Sequence, residues 1–456
     1  MLGYARRALT QPTSEIELPA INSNFSGRIT RAVPRPRGWR RVALALVWLA
    51  MASSGIVFAE PAPVDLALIL LIGLLPLAGL VTLSRPLLVY LALWLLVVAG
   101  GCIGAMSAFD FAVAGKQVLI TFYLSMASVA LAAFIERDPA RHIGLILNAY
   151  LIAALLATVA ALIGYFDLIP PLTDLLTEFG RARGTFKDPN VYGAFVVPPL
   201  VYALYLSFNS RGAVAALALA ATGLLLLGAL LSFSRGAWSN AAVSLGLFFF
   251  VSFATSRSNR FRGKMIGLAA AAGICVALVL GLAIQSPAVS NLLLERAQVE
   301  QSYDALPNGR FAGHEIAQAL IATHPLGIGP LQFGGHYHQE DVHEVYLNVL
   351  LGHGWLGGGG YIVVVALTLL VGIAAALQRG AAHGLLLVAL SAYAGQVGEG
   401  FIVDTDHWRH FFLLMSIIWG VYLANRTRAR MPENAQSAPV AERAFRIEPI
   451  SNPSLA

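Results

Sequence analysis

Residues 180–190 place three cations close to a predicted helix start. Arg181, Arg183 and Lys187 precede the tripeptide Asp-Pro-Asn, which is typical of a turn into a helix N-terminus. The unpaired amides of such a terminus, together with nearby basic side chains, favour the binding of an anion. The segment therefore predicts an anion site, and the alternative interpretation is a surface cluster that only anchors its loop.

Two further arginines stand where a charge needs a partner. Arg235 lies in a connection of only a few residues between two apolar runs, within the sequence Ser-Arg-Gly-Ala-Trp at 234–238. An arginine at the edge of a membrane faces a cavity or a partner, or it extends to water beside an interfacial residue such as Trp238. Arg310 opens an amphipathic helix predicted near residues 308–321, where it would bind an anion or simply face solvent.

Histidines are concentrated in one part of the chain, with six of the ten between residues 314 and 353. His336 and His338 form a His-x-His pair, but their spacing to His343 fits no well-defined zinc pattern, so no metal is expected. His343 and Glu344 open an apolar run. A histidine at a helix start beside a polar cavity is a candidate acid or base, and the alternative is a histidine that only caps the helix.

A last polar cluster lies near residue 400. It contains Glu399, Asp404, Asp406, His407, Arg409 and His410. Glu399 stands in an apolar segment and therefore needs a partner. An ion pair with one of the arginines above and a direct role in function are both open.

Composition shows what kind of protein must position these residues. The chain has 456 residues, of which 57% are hydrophobic and 12% are charged, whereas a soluble domain has about 45–50% apolar and about 25% charged residues. So little charge excludes a soluble enzyme, a disordered chain and a nucleic-acid-binding domain. The two cysteines lie in separate apolar runs and offer neither a disulfide framework nor a metal site.

Apolar runs of about 20 residues, the length that crosses a bilayer as a helix, recur along the chain. They predict an all-α polytopic membrane protein with about twelve transmembrane helices. The tenth run is too long for one crossing, so we expect it to begin as an interfacial or re-entrant helix and to cross after glycines 357–360. The predicted spans are residues 42–59, 62–83, 86–108, 117–135, 142–166, 190–208, 213–232, 236–254, 265–285, 346–377, 384–403 and 410–424.

The positive-inside rule sets the predicted orientation. Residues 1–41 carry eight arginines and no apolar signal core, so they predict a basic cytoplasmic tail, and an even span count places residues 425–456 on the same side. Both tails are expected to be disordered. This side then holds 22 Lys and Arg against 7 acidic residues, and the outer side holds 8 against 17.

Residues 42–424 are predicted to form one transmembrane domain with two long outer loops. The first loop is residues 167–189. The second, residues 286–341, is a large periplasmic loop between spans nine and ten. Long polar loops are where binding and chemistry usually occur.

The order of the polar motifs resembles that of the O-antigen ligase and O-antigen polymerase superfamily, bacterial membrane glycosyltransferases. Residues 183–190 are similar to the family's RxGTFxxPN segment, and residues 233–238 are similar to its SRGAW motif. Arg310, the stretch 324–329 and His343 follow in the family's order. The resemblance covers roughly residues 180–425, and about twelve spans, a late periplasmic loop and cytoplasmic ends are also typical of the family.

The resemblance implies an enzyme of the bacterial inner membrane that acts on the periplasmic face without a metal or other cofactor. Such an enzyme takes a glycan from undecaprenyl diphosphate and passes it to an acceptor hydroxyl. The acceptor is a sugar of the lipid A core for a ligase, and a second lipid-linked glycan for a polymerase. A single displacement would invert the anomeric centre.

The resemblance also implies roles for individual residues. Arg183, Arg235 and Arg310 would bind the donor diphosphate, and His343 would activate or orient the acceptor hydroxyl. Family members often have Asn after the histidine, whereas this chain has Glu344, which could act as the base itself. The additional candidates for substrate binding are Arg181, Lys187 and His338.

Several functions remain open from the sequence. It does not separate a ligase from an O-antigen polymerase, an exopolysaccharide polymerase or a protein O-oligosaccharyltransferase. A twelve-span transporter or flippase for a polysaccharide or lipid-linked substrate is the alternative of another class. Transporters typically show matched repeats and broken helices near the midplane, whereas the polar residues of this chain gather at one membrane face. A third alternative is a membrane scaffold without activity.

Overall fold

The computed structural model describes residues 37–283, 285, 309–380 and 382–429. Within these ranges the chain is almost entirely helical, and the one sheet is a two-stranded hairpin of Thr177–Glu178 (β1) and Arg181–Ala182 (β2). The predicted all-α class is therefore confirmed. Most of both predicted tails and residues 286–308 of the predicted large loop lie outside the described residues.

Twelve of the described helices coincide with the twelve predicted apolar runs. Seven of them, α3, α4, α5, α7, α8, α9 and α12 as bounded below, are long and apolar enough to cross a membrane. The chain is thus a multi-pass membrane protein, and the count of twelve crossings stays a prediction. The helices are α1 (Arg37–Ser53), α2 (Pro63–Leu77), α3 (Arg85–Ala105), α4 (Phe111–Arg137), α5 (Pro139–Tyr165), α6 (Thr173–Leu176), α7 (Pro189–Asn209), α8 (Gly212–Leu231), α9 (Arg235–Thr255), α10 (Asn259–Ala283), α11 (Arg310–Thr323), α12 (Val345–Leu377), α13 (His383–Glu399) and α14 (Arg409–Ala429).

Side-chain caps begin the helices that follow the polar motifs. The Asp188 carboxylate accepts a hydrogen bond from the amide of Asn190 at 2.6 Å, with a proline in the first position of α7. The Ser234 hydroxyl accepts from the amide of Ala237 at 3.3 Å and begins α9. These residue types satisfy amides that have no partner inside the helix. The helix start predicted at Asp-Pro-Asn is present.

Helix α14 is fixed against α3 and α4 by aromatic stacking and buried hydroxyl groups. The ring centroids of Trp94 and Phe412 are 5.0 Å apart, and those of Tyr90 and Trp419 are 4.5 Å apart. The buried Ser128 hydroxyl donates to the Phe412 carbonyl at 2.9 Å. Because aromatic rings have preferred stacking geometries, these contacts set the position of α14 and of the loop that precedes it.

Glycines allow α3 and α12 to pack with their backbones in contact. A Cβ atom on Gly100 would lie 2.4 Å from the Cα atom of Gly357, and one on Gly104 would lie 2.3 Å from the carbonyl oxygen of Gly352. No larger residue fits at these positions without displacing backbone. Small residues at helix interfaces are the usual means of close packing in membranes, where lipid provides little hydrophobic driving force.

Helix α12 is broken at Gly354, whose φ of +67° lies in the region that favours glycine. In an unbroken helix the amide of Trp355 would bond the carbonyl of Leu351. Here that carbonyl accepts from the amide of Ile328 at 2.9 Å, and the Trp355 amide donates to the Pro325 carbonyl at 2.9 Å. The Pro-Leu-Gly-Ile loop thus satisfies the polar groups that the break releases.

The break in the tenth predicted run is therefore present but lies elsewhere. It falls at Gly354, three residues before the glycines at 357–360, because the loop at 325–328 supplies its hydrogen bonds there. Irregular backbone within a membrane is tolerated only where protein or water satisfies it. The glycine run has a different role, since Gly357 makes the close contact with α3.

We expect Gly100→Ala to lower the free energy of unfolding by about 1–3 kcal/mol, the usual cost of overpacking. The added methyl group would overlap the backbone of α12. The matched control is Gly359→Ala, because a Cβ at Gly359 meets nothing within 4 Å. Unfolding of the purified protein in detergent measures both, and equal stability of the two variants would contradict the packing account.

Candidate functional site

Arg181 connects the first polar motif to the second. Its buried side chain donates from Nε to the Ser232 carbonyl at 2.8 Å and from Nη2 to Oδ1 of Asn190 at 2.7 Å. Ser232 lies in the turn between α8 and α9, two residues before the Ser-Arg-Gly-Ala-Trp sequence begins. Hydrogen bonds from a guanidinium group are among the stronger ones, so Arg181 holds the two motifs together.

Arg183 and Lys187 are also held by protein groups. Arg183 donates to the carbonyls of Lys187 and Asp174, each at 3.1 Å, and lies 4.0 Å from the Glu178 carboxylate. The Lys187 ammonium lies 3.5 Å from the carboxylate of Glu60. The two cations are partly exposed, and the exposed pair formed by Lys187 contributes little stability.

The backbone conformation and the packing at position 184 require a glycine after Arg183. Its φ is +55°, and a Cβ atom there would lie 2.5 Å from the carbonyl oxygen of Ala157 in α5. Next to it, the amide of Val57 donates to the Thr185 carbonyl at 2.9 Å. The segment is thereby fixed between α5 and the loop that joins α1 to α2.

Arg235 is the first residue of α9 and is partly buried. The next residue, Gly236, packs on Glu399 of α13, since a Cβ on Gly236 would lie 3.0 Å from Oε1 of that carboxylate. Oε2 of the buried Glu399 accepts from Nδ2 of Asn240 at 2.7 Å. Glu399, predicted to pair with an arginine or to act directly, thus has an amide from α9 as a partner.

His343 lies between two carboxylates just before α12. Its ring nitrogens are 3.8 Å from Oε2 of Glu340 and 3.9 Å from Oδ2 of Asp404, and its side chain is 48% exposed. Asp404 in turn accepts from Nδ2 of Asn348, one turn into α12, at 3.2 Å. The imidazole is therefore accessible and lies within 4 Å of two carboxyl groups.

Three other predicted residues are placed as follows. Arg310 begins α11, and its side chain lies outside the described residues. Glu344 is the capping residue of α12 and is partly buried. His338 stacks on Phe333 with ring centroids 5.9 Å apart and contacts the backbone of Glu340 at 3.2 Å. In the described part of the chain no group of three or more His, Cys, Asp or Glu could hold a metal ion.

Residues 400–408 connect α13 to α14 and are called the 400–408 loop. This loop contains a charged pair formed by His407 and Asp406. Nδ1 of His407 lies 2.9 Å from Oδ1 of Asp406, and Oδ2 of the same carboxylate accepts a hydrogen bond from Nε2 of Gln117 at 3.4 Å. Burial alone would raise the pKa of Asp406, but the hydrogen bond and charge of His407 lower it. Burial would likewise lower the pKa of His407, and the Asp406 carboxylate raises it.

Asp404 differs from its neighbour in the same loop. Its pKa is raised well above the ordinary value of 3.8, first by burial and next by the negative charge of Asp406. The two carboxyl groups therefore have opposite tendencies. Asp406 is the ionised partner of His407, whereas Asp404 is more easily protonated and faces His343.

A bidentate ion pair fixes the end of the 400–408 loop. Nε and Nη2 of Arg409 donate to the two carboxylate oxygens of Asp65 at 2.5 and 2.7 Å. Asp65 also accepts from the Tyr123 hydroxyl at 2.7 Å and from the Ala62 amide at 2.7 Å. Buried charges are tolerated when they are paired and fully hydrogen-bonded, as here.

A cavity of about 440 Å³ opens beside this ion pair. Its entrance has charged side chains of both signs, among them Glu60, Lys187 and Arg409, and its interior is apolar with a few hydroxyl groups. His410 also lines it, and Nε2 of this buried ring has no hydrogen bond within the described residues. A polar entrance above an apolar interior suits an amphipathic molecule.

The 400–408 loop brings the predicted motifs together. Val403 packs on Gly236 beside Arg235, Asp404 faces His343, and His407 lines the cavity that Lys187 also lines. Sequence reasoning missed Asp65 and the polar partners Asn240 and Asn348. An aspartate at the start of an apolar run was the signal for Asp65, whereas single amides within apolar helices carry none.

The ion pair of His407 and Asp406 predicts a pH-dependent stability. A raised folded-state pKa means that the contribution of His407 is complete below its unfolded value of 6.5 and is lost as the pH rises through the folded value. Asp406→Asn removes the partner. We expect the variant to lose most stability relative to wild type at weakly acidic pH, and to lose less as the pH rises.

Thermal unfolding in detergent at several pH values measures this difference, with Asp110→Asn as a carboxylate control outside the 400–408 loop. A stability difference that is constant with pH, or that grows as the pH rises, would show that the pair does not titrate as described.

Comparison with known proteins identifies the segment that carries Arg235 and His343. Residues 220–362 match the family model described as O-antigen ligase, Wzy_C. No curated protein matches the chain. The matched part lies within residues 180–425, where the motifs show the resemblance, and it supports a ligase-like or polymerase-like glycosyltransferase. The match at residues 220–362 confirms the predicted resemblance to the O-antigen ligase and polymerase superfamily.

Proposed function

We propose that this protein is an O-antigen ligase-like glycosyltransferase that moves a glycan from undecaprenyl diphosphate to an acceptor hydroxyl on the periplasmic face. The observation that carries the proposal is the family match at residues 220–362, which contains both Arg235 and His343. Its support in the fold is the 400–408 loop, which contacts the surroundings of both residues.

Arg235 is the first candidate for the donor diphosphate. It stands at the N-terminus of a 21-residue helix, where backbone amides and the helix dipole favour an anion. Arg310 begins a second helix in the same way. A fixed guanidinium group can stabilise the charge that develops on a leaving diphosphate, so the reaction as proposed needs no metal.

Arg183 and Lys187 have a different place in the proposal. The Arg183 guanidinium group already contacts the carbonyls of Lys187 and Asp174. The Lys187 ammonium group already contacts the carboxylate of Glu60. We infer that they provide positive charge at the entrance of the cavity, and that Arg181 has a positioning role through Ser232. The hydrogen bonds of Arg181 would then keep Arg235 in place for the donor.

His343 is the candidate base. The acceptor oxygen would attack the anomeric carbon, the bond from that carbon to the diphosphate oxygen would break, and the hydroxyl proton would pass to the imidazole. The bound proton would favour an ionised Asp404, 3.9 Å away, and the new charge pair would stabilise the imidazolium. Direct displacement of this kind inverts the anomeric centre.

Glu344 follows His343 at the N-cap position of α12, and it is a second candidate for the base. His338 lies earlier in the same loop, with its ring against Phe333 and the backbone of Glu340, which favours a structural role. The proposal assigns the proton to His343 because its side chain is half exposed and is placed between two carboxylates.

The proposal also includes the orientation of the chain in the membrane. Residues 42–424 would form one transmembrane domain in the bacterial inner membrane, with about twelve crossings. The tails, residues 1–41 and 425–456, would be cytoplasmic, and the 167–189 and 286–341 loops would be periplasmic. A polymerase of O-antigen or exopolysaccharide would use the same site with a lipid-linked glycan as the acceptor. The family match does not support the transporter alternative.

The proposal predicts that His343→Ala and Arg235→Ala reduce glycan transfer by roughly 10²–10⁴-fold, because each removes a group that acts in the transition state. The measurement is surface-glycan analysis of a deletion strain complemented with each variant at matched protein level. His336→Ala, a histidine of the same loop stacked on Phe109, is the control and should retain transfer.

The pattern of products separates the functions. Loss of long glycan from lipid A with retention of lipid-linked polymer indicates a ligase, and capping with single units indicates a polymerase. Normal surface glycans of every type in the deletion strain would exclude both.

A further inference from the structure

A second cavity lies at the opposite ends of the helices that begin at the candidate site. Helices α7 and α9 start at the polar motifs and run away from them for 21 residues each, about 30 Å. Where they end, a cavity of about 940 Å³ opens between the last turns of α7 and α9 and the first turns of α8, α10 and α13. No residue of the candidate site lines it.

The charged residues of this cavity are all cationic. Arg211, Arg257, Arg260 and Lys264 line it, together with His383, and no carboxylate does. The three arginines are exposed, and within the described residues no hydrogen bond or ion pair engages their guanidinium groups. The field inside the cavity is therefore positive and favours a negatively charged occupant.

Lys264 fixes the position of α10 against the end of α7 at this cavity. Its ammonium group donates to the carbonyls of Ser207, Phe208 and Ser210, at 2.7, 3.0 and 3.1 Å. These are carbonyls at the end of α7, which lack partners within the helix. Lys264 thus joins α10 to α7 and sets the width of the opening, while the arginines remain for a ligand.

Below the cationic entrance the cavity is apolar and aromatic. Phe208 and Phe248 stack with ring centroids 6.3 Å apart, and Phe261 and Leu387 complete the wall. The hydroxyl groups of Ser256 and other residues line the rim. Arginines at the membrane boundary above an apolar wall match a molecule with a phosphate head and hydrocarbon chains.

The positive-inside rule alone would place arginines on this face, and Arg85, Arg137 and Arg141 are examples outside the cavity. The rule explains neither why three unpaired arginines converge on one cavity nor why its lining has no carboxylate. We propose that this cavity binds the phosphate headgroup of an anionic membrane phospholipid, with the acyl chains along the wall at Phe208 and Phe248. This inference is independent of the proposed glycosyl transfer.

The test is native mass spectrometry of the full-length protein in detergent, titrated with phosphatidylglycerol or with phosphatidylcholine. The variant combines Arg211→Gln, Arg257→Gln and Arg260→Gln, and the control is Arg141→Gln, an exposed arginine of the same face. We expect the wild type and the control to bind phosphatidylglycerol preferentially. The variant should lose roughly five-fold in affinity for each arginine removed.

Inorganic phosphate forms the second arm, because a soluble phosphate could occupy the same cations. The proposal requires that phosphatidylglycerol stays bound when inorganic phosphate is added. Equal binding of both lipids, unchanged binding by the triple variant, or full displacement by inorganic phosphate would each overturn it. Thermal unfolding of the variants without added lipid shows whether a loss of lipid affinity reflects misfolding.

Discussion

The bidentate ion pair between Arg409 and Asp65 is the constraint on which the candidate site depends. It joins the start of α14 to α2, and the Tyr123 hydroxyl adds α4 to the same junction. The 400–408 loop ends at this pair, so the positions of Asp404 and His407 follow from it. Removing one partner would leave an uncompensated buried charge, which is far more costly than the pair itself.

The second constraint is the break in α12 at Gly354. His343 stands just before this helix, and the broken turn is closed by backbone bonds from the 325–328 loop. Glycines at 100 and 357 then hold the far half of α12 against α3. The histidine is therefore presented by a short rigid segment of helix that is packed on both sides, which suits a group that must be positioned for chemistry.

Much of the fold could be predicted because apolar periodicity and length dominate in a membrane chain. Every predicted span coincides with a helix, and Asp188 and Ser234 begin their helices as caps. Distances across the fold could not be predicted. The pairing of Arg181 with Ser232 and of Glu399 with Asn240 depends on tertiary packing, which leaves no local pattern. The break in α12 was misplaced because its hydrogen bonds come from a distant loop.

The most direct measurement of the central claim is the stoichiometry of the reaction with purified protein, a lipid-diphosphate-linked glycan and an acceptor. The account predicts that one undecaprenyl diphosphate is released for each glycan transferred, and that His343→Ala reduces both together. Donor bound without release, or transfer that continues undiminished in His343→Ala, would contradict the account.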